Sequence, residues 1–222
     1  MGKIVYELLK KKDIASIGVG GMIIFIAIVL IAGVAASVFI QTSNTLESQA
    51  SATGMETTIE VSAGITVSRI DGYAATGADI SKLAIMVKTR AGSEEIDLNH
   101  AFMELSNTNK KVVLNYTTSY YSKPNGLSNI FAASVFPDNG GTGDAVQFGI
   151  LVLEDIDNSL SATNPLMNRG DKLYLCINAT GTFSDIAANS VIQGMVVPES
   201  GAPGLIKFKT PSSYFDNVIE LY

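Results

Sequence analysis

The sequence predicts an α+β chain in which a long N-terminal hydrophobic helix is followed by an antiparallel β-sandwich. Two observations carry this expectation. Residues 14 to 40 contain no charged side chain over 27 positions, and from about Lys82 onward short segments rich in β-branched and aromatic residues alternate with clusters of turn-forming residues. The 222 residues are 47% hydrophobic and only 16% charged, which excludes a disordered, solvated chain and leaves room for one domain plus an extension.

The uncharged run, Ile14 to Ile40, would be about 40 Å long as a helix, more than the ~30 Å of a bilayer core. Its large apolar side chains would cost on the order of 30 kcal/mol to leave in water. This segment must therefore lie in lipid or against other copies of something like itself. A secretory signal is a poor fit, because such signals carry an apolar stretch of roughly 7 to 15 residues followed by a cleavage site. Here the small residues suited to cleavage, Ala15, Ser16, Gly18, Gly20 and Gly21, come before the run, directly after Lys10, Lys11 and Lys12. Cutting there removes the charges and keeps the helix.

Within the run, Ala32, Gly33, Ala36 and Ser37 place small side chains at i, i+4 spacing, which lets helix backbones approach closely. A filament core and a plain transmembrane anchor both accommodate that pattern. From Gln41 to Ser62 the chain turns polar without a proline, on a helix-forming background of Ala, Glu, Gln and Thr. A continued helix to about Glu60 reads as a stalk that neighbours or a head domain must cover.

The basic leader, the Gly-containing junction and "MIIFIAIVLIAGVAASVFIQTS" (Met22 to Ser43) resemble the N-terminal block of the archaeal flagellins, or archaellins, of the type IV pilin superfamily. A second similarity closes the chain, where "VVPESGAPGLIKFKTPSSYFDNVIELY" (Val196 to Tyr222) is similar to the Pro-Glu, Thr-Pro-Ser and Leu-Tyr signature of that family. The resemblance implies a leader, residues 1–15, cleaved by a prepilin-peptidase-like enzyme between Ala15 and Ser16, with a cut after Asp13 as the alternative. It also implies a filament-core helix over residues 16–62 and an outer β domain over residues 63–222. The implied function is that of a homopolymer of identical subunits, an extracellular archaeal flagellum filament for swimming. Such a subunit resides in the cytoplasmic membrane as a precursor and works with motor and platform proteins of other chains. An adhesive pilin of the same superfamily, or a single-pass surface protein with a ligand-binding β domain, are the alternative readings.

About eight β segments follow: "KLAIMVKTR", "HAFMEL", "KVVLNYTTSYY", "IFAASVFP", "AVQFGILVLE", "DKLYLCINA", "SVIQGMVVP" and "LIKFKT". Turn clusters such as "KPNG" and "PDNGGTGD" separate them, and this spacing fits an immunoglobulin-like β-sandwich, the outer-domain fold the resemblance also implies. In the segment at Lys172, alternation points Leu173, Leu175 and Ile177 to the core. Cys176 then takes the opposite face, either at a subunit contact or as a small packed hydrophobe.

Sites for chemistry are few. Fifteen Lys and Arg face 21 Asp and Glu, and without the first fifteen residues the balance is 11 against 19, so nothing basic remains to hold nucleic acid. His100 is the one histidine and reads as a polar strand residue. No phosphate-binding loop or nucleophile elbow is present, and no catalytic, cofactor or metal site is expected. The stretch Glu154, Asp155, Asp157 and Asn158 offers oxygen ligands without the spacing of a calcium-binding loop, and reads as a solvated turn. The sequons at Asn115 and Asn178 are candidate N-glycosylation sites on an exported protein, and the resemblance strengthens them.

Overall fold

The computed structural model describes residues 2–75, 78–123, 126–137 and 144–222, with side chains from residue 18 onward. The turns expected at Pro124 and Asn125 and at residues 138–143 lie outside these. Two compact units divide the chain, Met1–Met55 and Glu56–Tyr222.

The first unit is helical throughout its described length. Helix α1, Gly2–Ser62, runs through the apolar stretch and its polar continuation. It starts earlier than the apolar run because Lys3 to Lys12 contains strong helix formers and neither Gly nor Pro. Its last turns belong to the second unit, and it stops where Gly64 turns to φ +139°. A Cβ at Gly64 would lie 2.2 Å from the carbonyl oxygen of Ala202, so only glycine lets the chain pass there.

The second unit is a β domain. Strands β1 (Ile65–Ala74), β2 (Ile80–Thr89), β4 (Phe102–Ser106), β5 (Lys111–Ser122), β6 (Gln147–Glu154), β8 (Lys172–Asn178), β9 (Val191–Val197), β10 (Gly204–Lys209) and β11 (Val218–Glu220) form one sheet. Their order is β10-β9-β4-β5-β6-β8-β2-β1-β11, and a two-stranded sheet pairs β3 (Ile96–Asp97) with β7 (Leu166–Met167). All pairings are antiparallel except β5 with β6. The expected antiparallel β domain is thus built as a single sheet curled on itself. Gly64 bridges Ala202, and the Ile65 amide donates to the Ala202 carbonyl at 3.1 Å, which brings the approach to β10 against the start of β1. Inside the curl lie Ile65, Leu83, Ile85, Met103, Leu114, Phe148 and Leu175, all buried.

Alternation along β8 holds, with Leu173, Leu175 and Ile177 in this main core. The opposite face is where the sequence reading needs correcting. "IFAASVFP" is not a strand: it forms a 3₁₀ turn at Ile130–Ala132, capped by the Asn129 side chain accepting from the Phe131 amide, and continues through turns. Gly149, Cys176 and Ala84 sit side by side on β6, β8 and β2. This row of small residues makes a trough, and Phe131, Val135 and Phe136 fill it as a second core with Leu151 and Tyr174. A Cβ on Gly149 would lie 1.9 Å from the Val135 carbonyl oxygen. Cys176 therefore faces neither solvent nor a neighbouring subunit. It is wholly buried under its own chain, and burial raises its thiol pKa well above the usual range.

Candidate functional site

Every large apolar residue of α1 from Met22 to Ile40 is exposed, from Met22 and Phe25 to Phe39, which is 77% exposed. The apolar residues circle the helix and define no stripe. One partner surface on one side cannot cover such a helix; it needs lipid or several neighbouring helices all round. The part of α1 with described side chains, Gly18–Ser62, is long and apolar enough to cross a membrane, at about 68 Å on a 1.5 Å rise per residue.

Ala32, Gly33, Ala36 and Ser37 all lie on this helix, all exposed. Nothing lies within 4 Å of where a Cβ on Gly33 would be, so the close-approach surface is open. The hydroxyls beyond it are satisfied locally: Thr42 Oγ1 donates to the Val38 carbonyl at 2.8 Å and Thr45 Oγ1 to Gln41 at 2.9 Å. A polar residue that bonds its own helix can enter an apolar contact without an unpaired group. The sequence reading passed over this, although Thr four residues after an available carbonyl is its signal. Ala15 and Ser16 fall within α1, with their side chains outside the described residues.

The two sequons differ in geometry. Asn115 is exposed on β5, opposite Phe102 on one side and Gln147 on the other. Asn178 is half-buried and caps the short helix α2 (Ala179–Phe183). Its Oδ1 accepts from the Gly181 amide, and its Nδ2 donates to the Pro137 carbonyl at 2.7 Å. Thr180 of that sequon donates to Asp185.

Two further residues sit differently from expectation. His100 lies in the turn before β4 rather than in a strand, with Nδ1 3.1 Å from Asp97 Oδ2. The acidic stretch folds back on Asp171, which sequence reasoning did not single out because it lies beyond β7. Ligand atoms of Asp155, Asp157 and Asp171 come within 4.8 Å of one another, while Glu154 pairs apart with Lys172 at 2.6 Å. Asp157 accepts from Asn168 Nδ2 at 2.6 Å, which holds its pKa below the ordinary carboxylate value. Asp155 Oδ2 accepts from Lys123 at 2.7 Å, and Asp171 Oδ2 accepts from the Asn168 amide. The Oδ1 atoms of Asp155 and Asp171 are buried without a hydrogen-bond partner, and burial pushes the Asp171 carboxyl up. Chemically this all-oxygen set suits a hard divalent cation, and two of its three carboxylates keep an oxygen without a hydrogen-bond partner.

A family model for archaeal-type flagellin matches residues 15–208. Flagellin B3 of Methanocaldococcus jannaschii is 41% identical over 93% of this chain and 94% of its own length. The chain belongs to the archaeal-type flagellin family. Flagellin B2 of the same organism is 39% identical over 98% of this flagellin and 99% of the relative, and flagellin B3 of Methanococcus voltae is 39% identical over 95% and 97%. Among solved structures, the crystal structure of archaeal flagellin FlaB1 from M. jannaschii superposes with a TM-score of 0.60 at 32% identity, covering 72% of this flagellin and 96% of that chain. The archaeal flagellum of Methanospirillum hungatei strain JF1 shares the fold with a TM-score of 0.60 at 18% identity, over 91% and 98%. Both the apolar N-terminal helix and the β domain are thus features of the family fold.

Proposed function

We propose that this chain is the structural subunit of an archaeal flagellum filament. The helices of identical subunits pack in the filament centre and the β domains lie outside. The observation that carries this is the apolar surface of α1, exposed all round over Met22 to Ile40, which only many like helices or a membrane can cover. Packed together, such helices make a stiff rod that a motor built from other chains can turn; this chain's own role is mechanical rather than enzymatic.

The membrane is the holding site before assembly. Processing by a prepilin-peptidase-like enzyme precedes polymerisation, because Lys3, Lys10, Lys11 and Lys12 cannot enter an apolar core unpaired without several kcal/mol each. A cut between Ala15 and Ser16 would remove all four of these lysines and keep the apolar stretch of the helix from Met22 to Ile40. Of the two sequons, Asn115 is the proposed glycan site, since its side chain faces outward and the Asn178 amide is held by Pro137.

Filaments sheared from cells and analysed by mass spectrometry and electron microscopy test the reading. Thin helical filaments composed of chains beginning at Ser16 are expected, and cells lacking the chain should lose swimming but keep attachment. Surface protein found only as unpolymerised single chains, still carrying Met1 to Lys12, would overturn it.

A further inference from the structure

Two exposed apolar features of the β domain have no covering partner among the described residues. Phe215, between β10 and β11, is 91% exposed. It is not on a loose tip: its neighbour Tyr214 packs on the main core and donates to the Ile186 carbonyl, and the Asn217 carbonyl accepts from the Ala74 amide at 3.0 Å. Residues on either side are tied down, so the ring is held outward.

The second feature is a groove of about 470 Å³ on the outer face of β10, β9 and β4. Leu205, 71% exposed, stands beside Met195, and Val113 of β5 lies in the same cross-strand row beyond Glu104. Lysines rim it. Lys111 is paired with Glu104 at 2.7 Å, whereas Lys207 has no ion-pair partner among the described residues. Asp216, adjacent to Phe215, likewise has none among them. An apolar knob flanked by a free carboxylate thus matches an apolar groove flanked by a free ammonium.

We propose that the occupant of this groove is Phe215 of a second copy of the chain, with Asp216 of that copy on Lys207. Knob and groove are different patches of one molecule, so a copy can offer its knob to one neighbour while its groove takes the knob of another. Repeated in that way, rather than exchanged within a two-fold pair, the contact propagates as an open helical assembly requires. The inference rests on the filament reading and adds to the helix bundle a lateral contact between outer domains.

The test uses full-length chains assembled in cells. Asp216→Cys together with Lys207→Cys keeps the phenyl knob and replaces the ion pair with two thiols; the native Cys176 is buried and stays silent. Mild oxidation of sheared filaments should give a ladder of dimers, trimers and longer species on a non-reducing gel, and neither single variant should. Intact filaments without a ladder, or dimers from either single variant, would overturn the contact while leaving the filament reading in place; an unmodified chain that forms no filaments would overturn both. If the double-cysteine chain fails to assemble, charge reversal decides. Asp216→Lys and Lys207→Glu should each lower the temperature at which filaments dissociate, and the combined variant should recover it. No recovery would overturn the proposal.

Discussion

Tyr174 of β8 reaches over β2 to Asp71 of β1, its Oη donating to Oδ2 at 2.8 Å with both side chains buried. Ala84, small and directly opposite Asp71 on the intervening strand, leaves the room. Arg69 Nε supplies the other side of the carboxylate at 2.8 Å. Burial and the bond to Asp71 raise the pKa of Tyr174, and burial pushes Tyr116 up to about 12. An acid whose pKa is raised on folding contributes stability that is fully present below its unfolded value, about 10, and is lost as pH rises through the folded one. Denaturant unfolding of residues 56–222 should therefore show stability falling above pH ~10. Tyr174→Phe should cost about 1–2 kcal/mol at neutral pH and flatten that alkaline loss.

On the helix, Gly33→Leu or Ala36→Leu should cut filament yield and length by electron microscopy, because bulk on that surface keeps backbones apart. Thermal unfolding of the β domain should stay within about 0.5 kcal/mol of the unmodified chain. Filaments of normal length from Ala36→Leu would remove the close-packing argument.

The sequons separate by mass and by stability. Asn115→Gln should abolish a glycopeptide mass on sheared filaments and leave folding unchanged. Asn178→Gln should leave the glycan pattern intact yet destabilise the domain by about 1 kcal/mol, through loss of its capping bond. Glycan found on Asn178 would reverse this assignment.

Asp171→Asn removes a buried charge from a cluster of three carboxylates. In chelator the variant should be at least as stable as the unmodified chain. Calcium at a hundredfold its Kd should stabilise the unmodified chain by about 2.7 kcal/mol and the variant far less. Equal Tm responses would show that the carboxylates hold no cation.

These sites show where the sequence was readable. The helix was legible to within a turn at Ser62, since an uncharged run of this length has few physical solutions, and the core face of β8 followed from alternation at Leu173, Leu175 and Ile177. Strand β1 was not legible, because Arg69 and Asp71 interrupt its apolar pattern and Asp71 is buried through a bond to a residue 103 positions away. Cys176 is the small packed hydrophobe that was one of its two readings, but what covers it was not legible, for a related reason. Alternation assigns a face but does not say what covers it, and the cover here is a distant segment laid into a trough of Gly149, Cys176 and Ala84. Asp171 joins Asp155 and Asp157 only through the fold of the intervening loop.

The bridge between Gly64 and Ala202 also sets an order of events during synthesis. The apolar helix is complete at Ser62, but the strand that closes the curled sheet begins at Gly204, about 140 residues later. At ~5–20 residues per second, a ribosome takes roughly 7 to 30 seconds to cover that interval. Throughout it the most water-averse segment already exists while the β domain cannot yet close. Whatever receives the nascent helix must therefore engage it before the rest of the protein can fold.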